Sequence, residues 1–217
     1  MRTLIDLSHD VYDGMVTYPG LPAPRLGTVL SREASRGRYA TGVEFDIGSI
    51  EMCANTGTYL DTPFHRYAEG YDLAGLPLDR CADLPAAVVT VAGPAIGVAD
   101  VPGDIAGYAV LFNTGWDQHW GTPDYFRQHH PFVAEDAVRA LVDGGAILVG
   151  IDSLNIDSTA GIDRPAHTLL LAAGIPIVEH LTNLATVPAR GARFTAVPVK
   201  VAGLGTFPVR AFAVVAD

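Results

Sequence analysis

Lysine is almost absent from this chain. Lys200 is the only one in 217 residues, so nearly all of the 14 basic groups are arginines, set against 24 carboxylates for a net charge of −10. No Lys/Arg-rich run interrupts that acidity, which argues against a nucleic-acid partner and against an anionic membrane surface. Cysteine is scarce as well. Cys53 and Cys81 show no CxxC spacing and no zinc-finger pattern, and they read as two reduced, buried thiols. No stretch approaches the ~20 apolar residues of a membrane span, and Met1-Arg2-Thr3-Leu4-Ile5-Asp6 lacks a secretory apolar run. Internal repeats and low-complexity tracts are missing too. These absences predict a cytoplasmic protein whose partner is a small-molecule substrate.

What is present is ordinary for a globular enzyme: 49% hydrophobic and 18% charged residues. At this length one domain over residues 1–217 is expected. A first strand is predicted at 4–9, then a turn-rich loop at 13–20 that closes on Pro19-Gly20. Residues 21–41, with Pro22, Pro24 and the arginines 32, 36 and 38, read as an excursion or flap. The alternation over 43–52 predicts a half-buried strand. Strands are predicted at 86–91 and 108–114, and an acidic-led helix at 134–143 stopped by Gly144-Gly145. A continuous apolar run at 146–152 reads as a buried strand. A helix at 167–173, a strand at 175–179 and two late strands at 195–201 and 208–215 complete the chain. The His129-His130 pair reads as a surface feature, and His180 is expected to face away from Glu179.

The stretch around which the rest is arranged is Asn55-Thr56-Gly57-Thr58-Tyr59-Leu60-Asp61-Thr62-Pro63-Phe64-His65. It delivers a carboxylate, a Pro and a His at a strand end, where open α/β sheets place ligands. It resembles the signature His-x-Gly-Thr-His-x-Asp-x-Pro-x-His of the cyclase family, which includes bacterial kynurenine formamidase and isatin hydrolase. Gly57, Thr58, Asp61, Pro63 and His65 match. Asn55 and Tyr59 stand where the pattern has its two metal-binding histidines. The Asp6-Leu7-Ser8-His9 strand, the Tyr18-Pro19-Gly20 loop and the Thr114-Gly115-Trp116 strand end also resemble the family. So does Pro165-Ala166-His167 followed, twelve residues after the His, by Glu179. The resemblance implies an α/β fold, the swivelling β/β/α arrangement with a mixed, curved, barrel-like sheet flanked by helices. It also implies a homodimer or homotetramer.

Carried over residue by residue, the resemblance implies that the first metal site, short of its histidines, is empty. Asn offers a neutral carbonyl and Tyr a phenol of pKa about 10, neither a substitute for imidazole. Asp61, His167 and Glu179 keep the ligands of a second site, which would hold one Zn²⁺ or Mn²⁺ ion or none. The residues expected to carry catalysis are His65, Glu179, Asp61 and Tyr59. Tyr59 either donates to a developing oxyanion or plugs the vacated site. Tyr18, Phe64, Trp116 and His9 are expected to line the substrate pocket, His9 having the alternative use of capping its strand end. The reading that follows is a hydrolase opening an amide, lactam or formamide of a small aromatic or cyclic substrate. A metal-independent lyase, cyclase or dehydratase using the His/Glu/Asp cluster for proton transfer is a second reading, and a catalytically silent ligand-binding member is a third.

Overall fold

The computed structural model describes residues 1–216. Its strands are β1 (Arg2–Asp6), β2 (Arg25–Leu30), β3 (Ile47–Glu51), β4 (Tyr59–Asp61), β5 (Leu84–Thr90), β6 (Ala95–Ile96), β7 (Ala109–Asn113), β8 (Phe132–Val133), β9 (Leu148–Ile151), β10 (Ile177–Glu179), β11 (Ala192–Thr195), β12 (Thr206–Pro208) and β13 (Phe212–Ala216). The α-helices are α1 (Arg32–Ser35), α2 (Glu135–Asp143) and α3 (Pro165–Ala172). No helix among the described residues is long and apolar enough to cross a membrane.

Nine strands make one mixed sheet in the order β1-β13-β11-β5-β7-β9-β10-β4-β12. The centre, β5 to β10, is parallel, and antiparallel strands flank it on both sides. Parallel strands covered on both faces need apolar side chains at every position, and Ala109–Asn113 and Leu148–Ile151 are buried throughout. Alternation divides these side chains between two cores. Leu111, Leu148 and Val178 face one that also contains Leu7, Leu84, Phe194 and Ala213 from the outer strands. The sheet therefore curls over its own interior, as the predicted barrel-like architecture requires. Val110, Phe112, Val149 and Ile177 face the other core, which Val138 and Leu141 of α2 and Leu170 and Leu171 of α3 cover.

The register at the edge of this sheet sets up the site. In the antiparallel pairing of β10 with β4, Glu179 lies opposite Tyr59 and Ile177 opposite Asp61. In the pairing of β12 with β4, Thr206 lies opposite Asp61. Side chains two apart on a strand share a face. Tyr59, Asp61, Glu179 and Thr206 thus point to one side, that of α3, while Leu60 and Val178 point into the other core.

Three expectations need correcting. The strand over 43–52 forms only as β3, and both it and its partner β2 are exposed along their length except for half-buried Leu30. The apolar pattern of this stretch marks no half-buried position, because among the described residues none covers Ile47 or Ile50. The strand placed at 195–201 ends at Thr195. Beyond it only Pro198 makes a β-bridge, to Val209, since Pro has no N–H for a ladder. The short strand β12, directly after Gly205, was not anticipated. Finally, His130 is wholly buried. Its Nδ1 lies 3.1 Å from Ser153 Oγ and its Nε2 3.1 Å from Thr159 Oγ1, so it ties the loop before β8 to the segment after β9.

Gly205 has a close-approach requirement. A Cβ there would lie 2.6 Å from His65 Cα and 2.7 Å from Phe64 C, both backbone atoms that cannot rotate away. Gly205→Ala is expected to cost about 2 kcal/mol by overpacking. That lowers the melting temperature by roughly 4–8 °C for a chain of this size, as thermal unfolding would read.

Candidate active site

Asp61 ends β4 with its side chain fully buried. The Thr206 hydroxyl, its cross-strand neighbour, donates to Asp61 Oδ1. Asp61 Oδ2 is buried and has no hydrogen-bond partner at all. The atom facing it is His167 Nε2, at 3.7 Å. His167 comes from the first turn of α3 and is oriented by Asp157, whose carboxylate lies 2.6 Å from His167 Nδ1. Asp157 also accepts the backbone N–H groups of Ala166 and His167. Those N–H groups open a helix whose N-cap, Arg164, supplies no side-chain acceptor. One buried carboxylate therefore fixes both the helix end and the imidazole.

Glu179 closes the cluster from β10. The Tyr59 hydroxyl donates to its Oε2 at 2.5 Å, and the Ile156 N–H donates to its Oε1 at 2.6 Å. Glu179 Oε1 lies 3.8 Å from His167 Nε2. Tyr59 is itself buried. Its ring fills the space beside Glu179, and its hydroxyl is committed to that carboxylate. Burial, reinforced by the Glu179 charge, pushes the Tyr59 phenol far up, so it stays protonated.

Three carboxylates, Asp61, Asp157 and Glu179, thus surround one imidazole. Burial works against charge on His167, but its hydrogen bond to the Asp157 carboxylate and the nearby Asp61 and Glu179 carboxylates outweigh it and lift its pKa to about 10. Burial raises Glu179 to about 7, with His167 opposing and Asp61 reinforcing the shift. A proton shared in this cluster sits on His167, where it serves as the counter-charge. A divalent cation would serve the same purpose, and the donor set fits one. Asp61 Oδ2 and Glu179 Oε1 lie 3.7 and 3.8 Å from His167 Nε2, and His65 stands beside them, ligand atoms of Asp61, His65 and His167 all lying within 4.8 Å of one another. The unpartnered Asp61 Oδ2 faces the free Nε2 at a separation close to the roughly 3.5 Å between ligands of a tetrahedral ion.

His65 follows on a short 3-10 turn, Pro63–His65. Its Nδ1 is 2.8 Å from the Thr206 hydroxyl oxygen. The single hydroxyl proton of Thr206 goes to the Asp61 carboxylate, which can only accept. Thr206 therefore accepts from His65 Nδ1–H, and the neutral imidazole keeps its basic lone pair on Nε2. The His65 side chain is 36% exposed and lines a cavity of about 510 Å³ together with Tyr18, Asn55, Tyr59, His167 and Glu179. That volume suits a small aromatic molecule.

The residues expected in the pocket divide. Tyr18 lines it, with its hydroxyl donating to Leu154 O at 2.6 Å and accepting from Asn155 Nδ2 at 2.7 Å. Phe64, Trp116 and His9 do not line it. Phe64 adjoins His65 on a 3-10 turn, where successive side chains diverge by about 120°, so His65 faces the cavity and Phe64 does not. Trp116 donates its Nε1–H to Tyr125 O and packs edge-on to His119 and His129. The buried Asp152 accepts the Thr114 and Gly115 N–H groups and holds this loop shut. His9 stacks flat on Trp120, ring centroids 3.9 Å apart, and its backbone N–H donates to Thr58 Oγ1. The polar partners Asp157 and Thr206 were not foreseen. Asp157 carries a faint signal as an acidic residue upstream of a Pro-led helix. Thr206 carries none, since only sheet register brings it to Asp61.

The Cyclase family model matches residues 5–158. A kynurenine formamidase of Salinibacter ruber is 32% identical over 218 residues, covering 96% of this chain and 95% of that one. A solved structure described as a potential metal-dependent hydrolase with cyclase activity superposes with a TM-score of 0.80 at 28% identity, covering both chains completely. An isatin hydrolase A from Labrenzia aggregata superposes with a TM-score of 0.82 at 22% identity, over 100% of this chain and 94% of that one, a likeness of fold. On these grounds, and on the motif residues gathered at the edge of its sheet, the chain belongs to the cyclase family.

Proposed function

We propose that this protein is a cytoplasmic, homo-oligomeric hydrolase that opens an amide, lactam or formamide of a small aromatic or cyclic substrate. One observation carries the reading. A buried carboxylate oxygen, Asp61 Oδ2, has no partner and faces an imidazole nitrogen at the wall of a ligand-sized cavity. Leaving such a group unsatisfied costs several kcal/mol unless a cation or substrate completes it. The similarity to a kynurenine formamidase along almost the whole chain supports the same chemistry.

Asp61, His167 and Glu179 are the residues that would hold a single divalent ion, Zn²⁺ or Mn²⁺. Such an ion, when bound, supplies positive charge that polarises a carbonyl and acidifies water. The chain's own groups do the rest. Asp157 holds the Nδ1 proton of His167, so Nε2, the nitrogen facing Asp61, is the one that would give up its proton and offer a lone pair to an ion. His65 Nε2 takes the proton of the attacking water and returns it to the leaving nitrogen, with Thr206 fixing the tautomer this needs. Tyr59 holds Glu179 in place. Tyr18 forms an apolar wall, because its hydroxyl is already committed.

Elemental analysis of the purified protein is expected to find about one ion per chain. Chelation should abolish hydrolysis of an aryl formamide, and Zn²⁺ or Mn²⁺ should restore it. Full activity after exhaustive chelation, with no ion present, would overturn the metal assignment in favour of proton transfer by the side chains alone. Asp157→Asn should weaken ion retention by roughly 10–100-fold, read by equilibrium dialysis. His65→Ala should lower kcat by about 10²–10⁴-fold while ion content stays unchanged, which separates a proton carrier from a ligand.

A further inference from the structure

The cavity wall holds one carboxamide whose hydrogen bonds are unspent. Asn55 is half-buried and lines the cavity together with Tyr59, His65, His167 and Glu179. Most of the polar wall around it is committed. The Tyr18 hydroxyl is shared between Leu154 O and Asn155 Nδ2, and the Tyr59 hydroxyl goes to Glu179. Asn155 spends its other end on the Asp157 N–H, which its Oδ1 accepts at 2.9 Å. Arg164 donates through Nη1 to three carbonyls of its own loop, those of Ser158, Gly161 and Asp163. Arg66 and Asp163 are exposed to water. Among the described residues, none pairs with the Asn55 carboxamide. A partly desolvated carboxamide left unpaired costs free energy until something enters to pair with it.

The backbone holds this carboxamide in advance. The residues that follow it are tied down in succession. Thr56 Oγ1 donates to Cys53 O at 2.7 Å, the Gly57 N–H to Thr17 Oγ1 at 2.8 Å, and Thr58 Oγ1 to His180 O at 2.5 Å. Gly57 takes a left-handed conformation, φ +63°, which turns the chain from Asn55 into β4. A group on so fixed a backbone loses little freedom when it binds. Its chemistry names its partner. A carboxamide carries a donor, Nδ2–H, and an acceptor, Oδ1, side by side in one plane. An amide whose N–H and C=O lie on the same edge presents the complementary pair. Lactams have that edge by ring closure, and formamides adopt it. An ester or an N-alkylated amide has no N–H to offer. The Thr168 hydroxyl also lines the cavity without a partner, but a single oxygen does not match both groups. Pairing in the amide plane leaves the nitrogen lone pair, perpendicular to that plane, open to the proton that His65 returns.

We propose that Asn55 reads the scissile amide of the substrate, Nδ2–H donating to its carbonyl oxygen and Oδ1 accepting its N–H, so that the site selects lactams and formamides with a free N–H over esters and N-alkylated amides. The inference rests on the hydrolase reading given above and narrows its substrate class. A site built to hydrogen-bond an N–H rejects the analogue that lacks it, because its own acceptor is then left unpaired.

Calorimetric binding of oxindole, an aromatic lactam with a free N–H, and of N-methyloxindole tests it without turnover. The wild-type protein should bind oxindole about tenfold or more the tighter, the worth of one hydrogen bond. Asn55→Leu, close in volume, should weaken oxindole binding by about tenfold or more and remove the preference. A merely steric objection to the methyl group would persist in that variant. Asn55→Asp keeps the acceptor and loses the donor, so it should bind both lactams more weakly and retain the preference, and it keeps the test open if the leucine variant misfolds. In turnover, kcat/KM for formanilide relative to phenyl formate should fall about tenfold in Asn55→Leu. Equal binding of the two lactams by the wild-type protein, binding of neither, a preference that survives Asn55→Leu, or an unchanged amide-to-ester ratio in that variant overturns the proposal. A protein that hydrolyses neither formanilide nor phenyl formate yet shows the Asn55-dependent lactam preference supports the Asn55 contact and sinks the hydrolase reading instead.

Discussion

The site exists because negative charge is buried in excess. Asp61, Asp157 and Glu179 are all at or near zero exposure, and a single imidazole, His167, stands among them. Burying carboxylates without compensation costs several kcal/mol each, so their surroundings are arranged to answer them. Asp157 is answered by a helix N-terminus and by His167. Glu179 is answered by one phenol and one backbone N–H. Asp61 is answered on one oxygen by Thr206 and on the other by nothing. That remaining oxygen faces the free nitrogen of His167, and the pair defines where positive charge belongs.

The precision of this arrangement comes from sheet register. Glu179 meets Tyr59, and Asp61 meets Thr206, as cross-strand neighbours. A slip of one residue in either ladder would send Leu60 to the site and Asp61 into the apolar core. Gly205 lets β12 come close enough to the His65 backbone for that register to form. Tyr59 fills the volume beside Glu179 with its ring, and its hydroxyl restrains that carboxylate, which remains in place for the cavity.

The body and the ribbon of β2 and β3 obey opposite rules. In the body, both faces of the central strands are covered, by helices α2 and α3 on one side and by the curling sheet on the other. The ribbon has the apolar pattern of a half-buried strand with no layer above it. A sequence pattern records what a surface is built to meet, but not whether the surface that meets it belongs to the same chain. For this reason the alternation over 43–52 read as burial within the chain, whereas the folded chain leaves it open.

Much of the architecture was legible in the sequence because it is written in local terms. Continuous apolar runs made buried strands of 109–113 and 148–151, acidic residues and paired glycines bounded α2, and the motif residues 57–65 with His167 and Glu179 marked the site and its family. Other features depended on contacts between distant segments. Thr206 and Asp157 acquire meaning only through neighbours in space. Phe64, Trp116 and His9 were expected in the pocket from residue type and family resemblance, but the direction a side chain points is set by its turn and by the groups that bind it. His130 looked solvated until Ser153 and Thr159 closed around it. Residue chemistry and periodicity are properties of the chain taken alone. Orientation, pairing and burial are properties of what lies opposite, and only the folded chain supplies that, because hydrogen bonds and packing act over a few ångströms of space and not over positions in a sequence.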